Sequence, residues 1–147
     1  MRVLVLGSFP SAASLAARQY YAHPRNQFWR LMGDVLDEPL VRLAYGERVD
    51  RLRARGIGLF DTIIGCERTG SLDTAIRAPE LARIETIATG APRLALCAFN
   101  GAQAARAAQA WAAHGYATLT LPSSSPAHTL PYPRKLERWR ALAAHLL

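Results

Sequence analysis

Apolar positions along the chain follow two periods. Short β-rich runs occur at RVLVL (Arg2 to Leu6), IGLFDTII (Ile57 to Ile64), RLALCAF (Arg93 to Phe99) and ATLTL (Ala117 to Leu121). They are continuous rather than alternating, the pattern of strands buried on both faces. Helical spacing appears between them. Phe28, Leu31, Met32, Val35 and Leu36 form one apolar stripe, with Asn26 near its start where an Asn commonly caps free amides. Further helices are predicted over Ala44 to Ala54, from Pro79 to about Ala88, and along the alanine-rich AQAARAAQAWAAHG closed by Gly115. A last amphipathic helix, Arg134 to Leu147, turns Leu136, Trp139, Leu142 and Leu146 inward. Strands alternating with helices predict an α/β fold with a parallel sheet covered on both faces.

At 147 residues the chain suits one domain, with no internal repeat and no linker to divide it. No apolar run approaches the roughly 20 residues that cross a bilayer, and MRVLVLGSFP reads as a buried strand rather than a secretory leader. A cytoplasmic protein is expected. Cys66 and Cys97 lie in apolar surroundings and read as small buried side chains. The formal charge of +7 makes a polyanionic partner plausible. Of 18 basic residues 17 are arginine, and Lys135 is the single lysine.

The polar anomalies are GSFPS, DTIIGCERTGSLD, FNG and PSSSPAHT, each following a strand. In a parallel sheet the carboxyl ends share one edge, where open α/β folds place their ligands. No GxSxG elbow surrounds Ser8, and neither GxxxxGK[ST] nor GxGxxG occurs, so serine hydrolysis and nucleotide cofactors are disfavoured. The four histidines show no metal-ligand spacing. What converges on the edge is aromatic, amide, hydroxyl and arginine chemistry. Tyr20 or Tyr21 can stack on a planar heterocycle, Asn26 and Asn100 can hydrogen-bond its edge or position a water, and helix starts and serine amides can hold phosphate. Blander readings stand beside these: Asn26 as a helix cap, Phe28 and Trp29 as core, Ser123 to Ser125 as a turn, Asp61 and Asp73 as loop caps.

The set GSFPSAASL, QYYAHPRNQFW, LFDTIIGCERTGSLDTAI, FNG and LPSSSPAHT resembles the uracil-DNA glycosylase superfamily, and within it the hypoxanthine-DNA glycosylase branch. HPRNQFW is also similar to a segment of the mismatch-specific uracil glycosylases. The resemblance implies a three-layer α/β/α sandwich around a four-stranded parallel sheet. It implies a monomeric, cofactor-free enzyme acting on double- or single-stranded DNA, which flips a deaminated base and hydrolyses its N-glycosidic bond. Phe9 stands where most relatives carry a water-activating Asp or Asn, so the resemblance assigns catalysis to Asn26. Around the base it implies Ser8, Phe9, Tyr21, Asp61, Asn100 and Ser123, with Tyr21 as the stacking ring and Asp61 where uracil-specific relatives read the base with Asn. Along the DNA it implies Pro10, Ser11, His23, Arg25, Ser124, Ser125, Pro126, Ala127 and His128, with small Ala127 where a bulkier wedge often sits. A glycosylase–lyase needs an amine to form a Schiff base, and Lys135 lies beyond the last motif, so a monofunctional enzyme is expected. A uracil or G:T/G:U mismatch glycosylase and a catalytically inactive damage-binding module remain as alternatives.

Overall fold

A computed structural model describes residues 1–67, 71 and 77–147, without the side chains of 66, 67 and 77–79. Asp73 and the Cys66 side chain therefore lie outside the described residues. Strands β1 (Val3–Gly7), β2 (Ile57–Asp61), β5 (Leu96–Asn100) and β6 (Ala117–Leu121) form one parallel sheet in the order β2-β1-β5-β6. Side chains alternate across it. Val3 and Val5 face a core layer with Phe28, Leu31, Met32, Trp139 and Leu142, while Leu4 and Leu6 face Ile84, Phe99 and Trp111. Helices α2 (Phe28–Leu36), α3 (Tyr45–Ala54) and α7 (Tyr132–Trp139) cover the first face; α4 (Ile84–Gly90), α5 (Ala102–Ala105) and α6 (Ala108–Ala113) cover the second. The expected three-layer sandwich is present.

The register matters most for function. Gly7 pairs with Asp61, and Asn100 with Leu121, so the four strands end in one row. Strand order reverses between β1 and β5, and a crevice opens at that edge.

Four expectations change. IGLFDTII is not one strand: Thr62 and Ile63 donate to the Gly7 and Ser8 carbonyls, and the chain then leaves the sheet. It continues as β3 (Ile63–Glu67), paired antiparallel with β4 (Arg77–Leu81). Pro79 consequently sits in a strand, and its helix begins later, at Ile84; β3 and β4 form a two-stranded ribbon in which every strand is an edge, a setting that tolerates proline. The alanine-rich helix is two short pieces interrupted at Arg106 and Ala107. The last helix starts at Tyr132 and tightens to a 3-10 turn over Arg140–His145. A short helix α1 (Ala12–Ala17), too brief to show a period, is capped by the Ser11 hydroxyl accepting from the Ser14 amide.

Candidate active site

A cavity of about 430 Å³ opens at the row of strand ends. From β1 it receives Gly7 to Ser11, from β2 Asp61, from β5 Asn100, from the loop after β6 Ser123 to Ser125 with Ala127 and His128, and from the segment before α2 Tyr20, Tyr21, His23 and Asn26. Of the residues expected at the site, all but Arg25 and Pro126 line it. Both of those are exposed, and Arg25 lines a neighbouring cavity. Ser14, Ser71, Ala102 and Gln103 also line the cavity and were not singled out in sequence. Two signals were available for them: the Ser11–Ser14 spacing of a capping turn, and the position of Gln103 two residues beyond FNG.

The centre of the site is a hydrogen-bond chain with a fixed proton order. The Ser124 amide donates to Asn100 Oδ1 (2.9 Å), so the other end of that side chain, Nδ2, donates to Ser124 Oγ (2.8 Å). With its lone pair engaged, the Ser124 hydroxyl sends its own proton to Asn26 Oδ1 (2.8 Å). The Phe28 amide, which can only donate, reaches the same oxygen at 2.9 Å. Both acceptor positions of Asn26 Oδ1 are therefore filled. Its Nδ2 group makes no hydrogen bond among the described residues, and Asn26 lines the cavity. The side chain presents donors. Asn100 and Ser124 are 7 % and 1 % exposed, so this order is set in the interior rather than by solvent.

The cap reading of Asn26 is thus half right. Its oxygen does meet the first amide of α2, but the residue at the cap position is Gln27, which makes no side-chain cap bond. The same oxygen ties the helix to the serine loop, 98 residues away.

Stacking follows from Tyr21. Its ring lies on Phe28 with centroids 4.0 Å apart and an interplanar angle of 22°, and it also lines the cavity. Phe28 is fully buried and meets Trp29 and Trp139 edge-on, so the platform is backed by core. Tyr21 occupies the left-handed region at φ 55°, uncommon for a bulky side chain and the kind of strain that gathers at functional sites. Tyr20 lies beside it, with burial and the neighbouring Asp61 and Tyr45 pushing its phenol up to about 12. At neutral pH that hydroxyl keeps its proton.

Close approach explains Gly7. A β-carbon there would lie 2.7 Å from Asp61 Oδ1 and 3.1 Å from the Tyr21 hydroxyl, so the bare backbone lets both groups crowd the strand end. Gly101, at φ 96°, similarly admits Ser123, whose Cβ would be 3.0 Å from an added one. In the serine loop, the Ser123 and Ser125 hydroxyl oxygens accept from the Ser125 and Ala127 amides, which leaves each hydroxyl proton available to a ligand.

Lys135 is 1 % exposed and does not line the cavity; its Nζ donates to Gln27 Oε1 (2.9 Å) and the Ser125 carbonyl (3.3 Å). Among the described residues no three His, Cys, Asp or Glu side chains gather to hold a metal ion. None of the described helices is long and apolar enough to cross a membrane.

Comparison with known proteins bears on this arrangement. Residues 1–145 match the model of the uracil DNA glycosylase superfamily. A hypoxanthine DNA glycosylase of Methanosarcina barkeri is 36 % identical over 137 residues, spanning 93 % of this chain and 87 % of that one. Its namesake in Methanosarcina acetivorans is 36 % identical over 143 residues, 97 % of this chain and 90 % of that one. The solution NMR structure of a candidate uracil DNA glycosylase from Methanosarcina acetivorans superposes with a TM-score of 0.89 at 35 % identity, covering 99 % of this chain and 90 % of that one.

Proposed function

The chain belongs to the uracil DNA glycosylase superfamily, and from that premise we propose that it is a monofunctional hypoxanthine DNA glycosylase. The supporting observation is the ordered chain Asn100–Ser124–Asn26, which turns the Asn26 amide donors toward a cavity walled by Tyr21 and Asp61.

A base leaving deoxyribose takes the C1′–N bonding pair with it, while the sugar passes through an oxocarbenium-like cation that a water captures, releasing a proton. Charge on departing hypoxanthine spreads over O6, N3, N7 and N9, which are acceptors, while N1 keeps its hydrogen. The Asn26 Nδ2 protons meet that growing charge, which is where a preorganised donor lowers a barrier. The same group can hold a water by its oxygen. It cannot draw a proton from that water, because Oδ1 is already saturated. Capture of so reactive a cation needs placement more than deprotonation.

Recognition follows from the walls. Tyr21, supported by Phe28, supplies a flat face for the extruded base. The Asp61 carboxylate accepts the N1–H of hypoxanthine but sets its lone pairs against the unprotonated N1 of adenine. Ser123 and Ser125 hydroxyls hold backbone phosphate. Small Ala127 fills the vacated stack poorly, so bases in already weakened pairs are preferred. With Lys135 buried and engaged, no lysine amine reaches C1′, and the product is an intact abasic site.

Single-turnover cleavage of duplexes containing deoxyinosine, deoxyuridine or deoxyxanthosine tests the reading. Inosine is expected to be cut fastest, with Asn26→Ala strongly impaired and no borohydride-trapped adduct. Faster cleavage of uracil would move the substrate to the uracil or mismatch class. Cleavage of none would leave a damage-binding module.

A further inference from the structure

The mechanism leaves a buried cationic side chain unused. Lys135 carries the chain's single ammonium side chain into the interior, on the first turn of α7, against the back of the loop whose cavity face bears Ser123 to Ser125. Its two acceptors are neutral: the Gln27 side-chain oxygen and the Ser125 carbonyl. It forms no ion pair among the described residues. Burying a cation without a counter-charge is costly, and here burial pushes the ammonium below the ordinary lysine range. Gln27 also receives the loop, its amide donating to the Ser124 carbonyl at 2.9 Å. The ammonium thus sits at the junction of α2, α7 and the serine loop.

We propose that Lys135 is a positioning residue for DNA, whose charge, held behind the Ser123–Ala127 turn, is balanced by the phosphodiester that docks on the turn's cavity face. The proposal rests on the DNA-binding reading above and deepens it. A charge shielded by protein keeps its field where a surface arginine would be screened by salt. The Ser125 carbonyl also accepts from the His128 amide, so the ammonium clamps the turn at the oxygen that closes it. The amide-serving serines are then held with their hydroxyl protons outward.

Two neutral variants separate charge from propping. Lys135→Gln keeps a donor for the Ser125 carbonyl, and Lys135→Met removes it. Binding is measured by fluorescence anisotropy on an undamaged duplex across a salt series, with single-turnover cleavage of an inosine duplex at saturating enzyme alongside. Both variants are expected to bind more weakly by on the order of tenfold, the effect of one unit charge about 12 Å from a phosphate at an effective dielectric near 20. The gap should persist as salt rises, because a charge shielded by protein is screened far less than a surface one. Cleavage at saturation should stay within about twofold, and thermal stability of the Gln variant should hold or rise, since an uncompensated buried charge is relieved. Wild-type binding by Lys135→Gln would overturn the proposal, and so would a cleavage defect that saturation does not rescue. Should Lys135→Met fail to fold, Lys135→Gln carries the test alone. If the wild type binds DNA but leaves inosine intact, the proposed activity falls while this proposal stands or falls on its own data.

Discussion

Replacing Asn26 with Asp changes one atom and reverses what the site offers. The retained carboxylate oxygen still accepts from Ser124 Oγ and the Phe28 amide, at the 2.8 and 2.9 Å now seen for Oδ1. Those bonds become charge-assisted, so thermal stability should hold to within a few degrees. The second oxygen replaces the donor. Loss of one preorganised donor to a developing anion costs about 2.7–4 kcal/mol, or 10²- to 10³-fold in rate. Repulsion between the new carboxylate and the leaving base adds up to about 4 kcal/mol at 4 Å and an effective dielectric of 20. A fall of at least about 10²-fold is therefore expected in the single-turnover cleavage of an inosine·thymine duplex, read on a denaturing gel after alkaline scission of the abasic site. The opposite case is equally definite. Were Asn26 acting through its oxygen on the water or the sugar cation, a carboxylate would match or exceed it. An Asp variant within about threefold of wild type would refute the donor assignment.

Removing the relay from behind should show the same dependence. Ser124→Ala leaves the buried Asn100 Nδ2 without an acceptor and Asn26 Oδ1 with one donor; unfolding stability should fall by about 1–3 kcal/mol, with a clear drop in cleavage rate, measured by thermal melting and single-turnover kinetics. Gly7→Ala should cost about 1–3 kcal/mol and at least about tenfold in cleavage, because its methyl must displace Asp61 and Tyr21 together; unchanged kinetics would show that the strand end has slack. Tyr20 has its own pH window. Its phenol holds its proton to about 12, whereas the unfolded chain releases one near 10, so above pH 10 the native state binds more protons and stability declines between pH 10 and 12. Denaturant melts across that range should show a shallower decline for Tyr20→Phe.

The parts legible in sequence were those set by neighbours in the chain. β6 coincides with ATLTL because Gly115 and Pro122 punctuate it on both sides. The apolar face of α2 follows its 3.6-residue stripe, with Phe28, Leu31, Met32 and Leu36 buried. Long-range pairings were hidden. Nothing in IGLFDTII marks the change of sheets at Thr62, since both halves are equally β-prone, and Pro79 imitated a helix start because its partner strand, β3, lies well upstream in the chain. At the site, residue types were readable and their proton order was not. That Asn26 must donate depends on Asn100 and Ser124, distant in sequence and joined by the fold. The scarcity of lysine was visible from composition, but the burial of Lys135 behind the serine loop was not.

Side-chain amide NMR of the ¹⁵N-labelled protein can observe the Asn26 donor itself. The Asn26 Nδ2 resonances are followed during titration with a duplex carrying a non-hydrolysable 2′-fluoro analogue of deoxyinosine, with an undamaged duplex as reference. A downfield shift of the Asn26 amide protons is expected with the analogue alone, as they find an acceptor on the flipped base or its attendant water. Asn26 resonances identical with both duplexes, while the rest of the cavity responds, would contradict it.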